Sequence, residues 1–308
     1  MKNKLSMALI ATLYYKNNLS QNEIAKKLNV SRPWISKLLK KAQDAGMVKI
    51  TIQSPLEGHP ELEKQIQEAY DLCHVKVIDS SQQEDYLSLA AASYLMAILQ
   101  DHDTIGIGWG SSVARFVDAC FPIQAKDLKT VALAGSFGTS AETLPNYQAI
   151  ELAKKLSATP VLLHAPAFCT SKEGYDMLME NDSVRESLYL AEHADILITG
   201  ISSSQTSFLT HTNLLTDEAI EELHQNRVIG DILLQYFNAD YDPVSLRLTQ
   251  YMIKANIYEA RKHARCIMSL CQGVEKIESI HAILSSGLVD AFFTDTETAK
   301  ILIEKKIR

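Results

Sequence analysis

Apolar positions near the start of the chain recur at helical spacing. Leu5, Ala8, Leu9, Thr12 and Leu13 predict a first helix over residues 5–17. Ser20 followed by Glu23 is a capping box, which predicts a helix over 21–28 with Ile24, Ala25 and Leu28 facing inward. Asn29 and Val30 turn the chain, and Val30 fills the space between the helices. Ser31 is expected to cap the next helix, with Pro33 in its first turn, where a missing N–H costs nothing. There Ile35, Leu38, Leu39 and Ala42 share one face, while Arg32, Trp34, Ser36, Lys37, Lys40 and Lys41 take the other. Gly46 is a candidate helix stop, and residues 47–52 (MVKITI) alternate as a strand or small wing does.

Two prolines and a glycine over residues 53–60 mark a linker. A helix over 61–70, with Leu62, Ile66 and Ala69 on one face, either packs on the body or meets a second subunit. The pattern then alternates. Apolar strands over 73–80, 103–110, 130–138, 160–166, 194–202, 265–273 and 289–295 are separated by amphipathic helices over 86–100, 111–120, 147–156, 183–194, 218–225, 276–286 and 296–305. This predicts an α/β body with a mainly parallel sheet, whose ligands bind beyond the carboxyl ends of the strands. The expected division is 1–53 and 54–308.

Charge sharpens the first segment. The whole chain carries −7, but residues 1–53 hold ten Lys/Arg against Glu23 and Asp44, a net of +8, leaving −15 on the rest. A helix pair with a basic outer face on its second helix is the DNA-binding helix-turn-helix pattern, and a basic head is what phosphate neutralisation needs. Ser31, Arg32, Trp34, Ser36, Lys37, Lys40 and Lys41 are the candidate DNA contacts. An ordinary helical hairpin with solvated lysines is the plainer reading. At 46% apolar and 22% charged the composition is that of a globular protein, with no run long enough to span a membrane and no secretion signal. A cytoplasmic protein is expected. Five scattered cysteines and nine scattered histidines form no metal-ligand spacing, so neither disulfide, metal nor cofactor is expected.

Four strand ends carry the material of an anion site. Gly106-Ile-Gly108-Trp-Gly110-Ser111-Ser112 places glycines and hydroxyls where a helix begins, though it lacks the third glycine of a dinucleotide fingerprint and the lysine of a P-loop. Gly135-Ser136, Gly200 and Gly273 with Lys276 are the others. A lysine one turn into a helix reaches a phosphate held by neighbouring loops, or is simply solvated; the glycine loops are phosphate cradles or plain tight turns. Asp231, beside an apolar run, bonds sugar hydroxyls or caps the following turn.

These motifs, in order over nearly the whole chain, resemble the SorC type of bacterial sugar-responsive transcriptional regulators. The resemblance rests on residues 14–50 (YYKNNLSQNEIAKKLNVSRPWISKLLKKAQDAGMVKI), IGIGWGSSV, ADILITGIS, VIGDILLQYFNADYDPV and GVEKIESIHAILSSGLVDAFFTDTETAKIL. It implies a helix-turn-helix head and a Rossmann-like effector domain similar to sugar-phosphate isomerases and deaminases. It also implies a phosphorylated sugar effector, control of a carbohydrate-utilisation operon (as a repressor), and a homodimer or homotetramer on a double-stranded DNA operator. Carried over, Gly110, Ser111, Ser112 and Lys276 match the family's phosphate contacts and Asp231 its effector-side acid. Gly108, Gly135, Ser136 and Gly200 complete the candidate effector set. Two positions depart. Trp34 stands where these recognition helices often carry a small residue. Ala134 stands where the deoxyribonucleoside regulator of the family carries a lysine, so no covalent imine is expected at that position. The competing reading, a sugar-phosphate isomerase or deaminase with an accessory head, needs an acid–base pair in the loop Ile201–Thr206, which has none. No catalytic residue is assigned.

Overall fold

A computed structural model describes residues 2–48, 56–79, 85–136, 144–204 and 216–307. The chain forms two compact units, Met1–Ser54 and Pro55–Arg308.

The first unit is helical. Helix α1 (Lys2–Ala11) runs into one turn of π-helix, Thr12–Lys16, where the spacing predicts a continuous α-helix. Thr12 Oγ1 donates back to the Ala8 carbonyl at 2.9 Å, and Asn17 N–H reaches five residues back to the Thr12 carbonyl at 3.1 Å. A hydroxyl competing for a helix carbonyl widens the turn in this way. Helix α2 (Gln21–Leu28) opens on the complete capping box of Ser20 and Glu23 and closes at Asn29, φ +52°. Helix α3 (Arg32–Asp44) follows. Its end is a Schellman turn: Gly46 N–H bonds the Gln43 carbonyl and Met47 N–H the Ala42 carbonyl, each at 2.9 Å, with Gly46 at φ +68°. Ile10, Leu13, Ile24, Ala25, Ile35, Leu38 and Leu39 form one buried cluster. The strand expected over 47–52 falls, from Lys49 on, outside the described residues.

The second unit begins with α4 (Pro60–Tyr70). Alternation then gives β1 (His74–Ile78), α5 (Tyr86–Ile98), β2 (Thr104–Ile107), α6 (Ser111–Ala119), β3 (Lys129–Ala132), α7 (Pro145–Leu156) and β4 (Thr159–Val161). Next come α8 (Lys172–Met179), α9 (Asp182–Glu192), β5 (Ile196–Gly200) and β6 (Ser202–Ser203). After α10 (Asp217–Gln225) the chain makes β7 (Val228–Ile232), β8 (Gln235–Asn238) and β9 (Pro243–Val244). It closes with α11 (Ile257–His263), β10 (Cys266–Leu270), α12 (Ile277–Ser285), β11 (Ala291–Asp295) and α13 (Thr296–Ile307). A seven-stranded sheet has the order β1-β11-β10-β5-β2-β3-β4, every pair parallel.

Both faces of this sheet are covered, which is why its strands read as unbroken apolar runs. Leu197, Ile267 and Phe292 point to one core with Ile66, Ile280, Ile283 and Leu302. Their neighbours Ile196, Ile198, Met268 and Phe293 point to the other, with Leu95, Phe116 and Leu152. A second, antiparallel sheet of order β6-β7-β8-β9, together with α8 and α11, has no counterpart in the sequence pattern.

Candidate functional site

The helix-turn-helix offers one face. On α3 the buried set is Ile35, Leu38, Leu39 and Ala42, as the spacing predicts. Ser31, Arg32, Trp34, Ser36, Lys37, Lys40 and Lys41 are all exposed, Trp34 at 42%. An indole left open to that degree beside six basic and hydroxyl side chains is a contact surface looking for a partner. One expectation changes. Ser31 stands at the N-cap, but its side chain makes no capping bond; helix entry rests instead on Pro33 and on the Ser31 carbonyl, which accepts from Trp34 and Ile35 N–H at 3.1 and 3.2 Å. Tyr15 fixes α3 from behind by accepting from Gln43 Nε2 at 2.8 Å.

The second site lies in the body. Along the chain, β2, β3 and β4 step outward in one direction, whereas β5, β10 and β11 step in the other. The order therefore reverses between β2 and β5, and a crevice at such a switch point is where doubly wound sheets bind ligands. The β2 loop and the β5 loop flank it. Gly108 N–H bonds the Ile198 carbonyl at 2.8 Å, so the start of the β2 loop is held against β5. Gly110 has φ +99° and nothing within 4 Å of where a side chain would stand, so glycine satisfies the backbone and leaves the space open. Ser111 and Ser112 are the first residues of α6, whose opening N–H groups have no helical acceptor. A Cβ at Gly200 would meet only the Trp109 carbonyl, at 3.9 Å.

On the far side of β5, the β10 loop carries Lys276. The sequence expectation put it one turn into a helix; it closes a 3-10 turn, Val274–Lys276, at the N-cap of α12, and is half-buried. Beside it Cys271 donates to the Ile201 carbonyl at 3.4 Å, and burial pushes its thiol up to about 12, so it stays neutral. Gly135 is different. A Cβ there would stand 2.5 Å from the Pro166 carbonyl group, so close packing requires the glycine. Ser136 pairs with Pro166 and accepts from Asn146 at 3.3 Å.

Asp231 sits on β7, opposite Ser202 of β6. It is buried at 5% exposure, accepts from the Ser202 hydroxyl, and accepts from Leu234 N–H at 2.9 Å. Of the two roles the sequence left open, capping the following turn is present in the fold. Burial raises its carboxyl pKa above the ordinary value. Sequence reasoning passed over Lys254, which lies within electrostatic reach of Asp231. Burial lowers its amine pKa, against the pull of Asp231 and Glu192. The one signal was a lysine enclosed by apolar residues, MIKA. Among the described residues no cluster of His, Cys, Asp or Glu is able to hold a metal, and no helix is long and apolar enough to cross a membrane.

Residues 54–304 match the Sugar-bind family, described as a sugar-binding domain, and residues 2–49 match a winged helix-turn-helix DNA-binding model. The chain belongs to the SorC/DeoR type of sugar-binding transcriptional regulators. It is 26% identical over 300 residues to the deoxyribonucleoside regulator of Bacillus subtilis, covering 95% of each chain. It is 27% identical over 307 residues to the erythritol catabolism regulatory protein EryD of Brucella abortus, covering 97% of this chain and 96% of that one. The full-length sorbitol operon regulator SorC of Klebsiella pneumoniae shares the fold, with a TM-score of 0.77 at 23% identity over 96% of this chain and 97% of that chain. This protein is a sugar-responsive DNA-binding transcriptional regulator, and its relatives are regulators, not enzymes.

Proposed function

We propose that the effector is a phosphorylated sugar, bound at the β2/β5 switch point, and that its binding releases repression of a carbohydrate-utilisation operon. What supports this reading is that three anion-binding devices stand at the carboxyl ends of β2, β5 and β10, which are neighbours in the sheet. Gly110 leaves open space, α6 begins there at Ser111 and Ser112 with N–H groups that lack helical acceptors, and the β10 loop, beyond β5, carries the cation of Lys276. Gly108 and Gly200 shape the walls. Gly135 and Ser136 belong to the supporting turn, and Asp231 acts at the sugar end as a buried acid.

Residues 1–53 then serve as the operator-binding domain and 54–308 as the effector and oligomerisation domain of a cytoplasmic homodimer or homotetramer. Ser31, Arg32, Trp34, Ser36 and Lys37, at the start of α3, meet base edges and nearby backbone, while Lys40 and Lys41 meet phosphates. A thermal-shift panel of sugar phosphates tests the effector. A ligand at ~100 times its dissociation constant stabilises by about 2.7 kcal/mol. At least one sugar phosphate is expected to raise the melting temperature of the wild type and not of Lys276→Ala. Stabilisation by free sugars alone, or equal stabilisation of both proteins, refutes the phosphate assignment.

A further inference from the structure

Trp34 is the only large apolar side chain that α3 leaves exposed, at 42%. It belongs neither to the buried cluster of the head nor to the side chains packed against that cluster. Among the described residues its ring meets no other ring or cation, and its indole N–H has no acceptor. The second tryptophan of the chain, Trp109, shows the ordinary behaviour of the residue: it packs against two apolar clusters of the body. A tryptophan that folding leaves uncovered needs a partner from outside.

The backbone fixes where the indole goes. Pro33 precedes it with a locked φ, Trp34 N–H donates to the Ser31 carbonyl at 3.1 Å, and the next residue, Ile35, is fully buried. A long helical side chain leans toward the N-terminus of its own helix. The indole therefore covers the end of α3 that a recognition helix presents to base edges. Lys37 and Lys41, three and seven residues on, continue the same exposed stripe and suit the flanking phosphates. Arg32, two residues earlier, leaves a different flank, so the two side chains meet different base pairs.

An indole carries one donor, no acceptor and a broad apolar surface. Laid over a G·C pair it strips water from guanine O6 and N7 and from the cytosine amino group, and satisfies at most one of them. The one apolar group on display in the major groove is the C5 methyl of thymine. We propose that Trp34 is a specificity-determining residue that reads thymine in the operator. Its ring packs on the thymine methyl, and its N–H donates to O4 of that base or to N7 of a neighbouring purine. This rests on the assignment of α3 as the recognition helix. It separates Trp34 from Lys40 and Lys41, whose phosphate contacts carry no sequence information.

The test uses the full-length protein, which first selects its operator from a random-sequence DNA library. Each thymine of that operator is then replaced singly by deoxyuridine, which deletes the methyl group and leaves the hydrogen-bonding edge intact. Fluorescence anisotropy reads the affinity. One thymine in each half-site is expected to be sensitive, its replacement weakening binding about fourfold, the worth of one buried methyl group. Trp34→Ser is expected to bind the thymine and deoxyuridine operators equally, and to lose more affinity for operator than for random DNA. Trp34→Phe, which keeps an apolar ring, is expected to retain the methyl sensitivity. A deoxyuridine scan with no sensitive position overturns the proposal, as does a position equally sensitive in Trp34→Ser. Equal losses on operator and random DNA in Trp34→Ser mark a backbone contact and overturn it too. When the scan is flat but Arg32→Ala still loses operator and spares random DNA, only the thymine reading falls. When neither Arg32→Ala nor Trp34→Ser alters operator affinity, α3 is not the recognition helix and both readings fall.

Discussion

Arg32 and Lys40 leave the same exposed face of α3 but are expected to do different work. Arg32 stands on the first turn, where a recognition helix meets base edges, and its guanidinium matches the two acceptors of a guanine. Arg32→Ala is expected to cost about 1–3 kcal/mol on operator DNA and far less on random DNA. Lys40→Ala is expected to weaken both equally and to reduce the salt slope by about one. Fluorescence anisotropy over a salt series distinguishes the two, and equal losses on both DNAs for Arg32→Ala contradict its assignment. At this scale the sequence was readable where periodicity decides the outcome, as for Ile35, Leu38, Leu39 and Ala42. It was silent where tertiary contact decides. The neighbours of Lys254 in space are Ala134, Asp231 and Glu192, none of them near it in sequence. Asp231 was ambiguous because bonding a ligand and capping a turn need the same carboxylate.

Among the elements, the helix-turn-helix owes its boundaries to local chemistry. Ser20 Oγ accepts from Glu23 N–H at 3.2 Å, and Glu23 accepts from Ser20 N–H at 2.8 Å. Ser20→Ala is expected to destabilise the head by about 0.5–2 kcal/mol, read as a shift in urea midpoint of the tryptophan signal of Trp34. An unchanged midpoint contradicts the capping role. Such signals are short-range, so capping boxes, a Schellman glycine and apolar strands were all legible. The antiparallel sheet was not. β6 and β9 are two residues each, too short for alternation to register, and their pairing is fixed by contacts made only in the fold. At Gly230 a side chain would stand 2.2 Å from Ser279 Oγ, so β7 lies tightly on α12. Helix α8 is half polar and carries Gly174, a poor helix former, which hid it. The π turn after α1 escaped because a threonine hydroxyl, not the apolar spacing, sets it.

For the molecule as a whole, charge is divided between a basic head and an acidic body, so the body contributes no nonspecific grip on DNA. A single head covers too little DNA for tight specific binding, so at least a dimer is expected on an approximately palindromic site. Sedimentation showing a monomer both free and on operator contradicts this. The body also carries histidines that fold neutral. Burial lowers the pKa of His74, stacked on Tyr94 at 4.1 Å, and of His281, bonded to the Tyr70 hydroxyl at 2.8 Å. An unfolded histidine titrates near ~6.5. Below that pH the unfolded chain binds protons that the folded chain refuses, so stability present above it is lost as the pH falls toward the folded values. The urea midpoint is expected to drop between pH 7.5 and 5.5, and to drop less for His74→Phe; because Asp231 and Lys254 titrate in both proteins, the difference isolates the histidine. An equal drop contradicts it.

The central claim is that one sugar phosphate and one operator are linked through this chain. Linkage is reciprocal: whatever factor the sugar phosphate takes from operator affinity, the operator must take from sugar-phosphate affinity. The direct measurement is calorimetric titration of the stabilising sugar phosphate into wild-type protein and Lys276→Ala, each with and without operator. The account predicts two equal factors for the wild type, and for Lys276→Ala a lost response with operator affinity unchanged, since Lys276 lies in the body. Sugar-phosphate affinity in Lys276→Ala equal to that of the wild type would place the phosphate elsewhere and contradict the account.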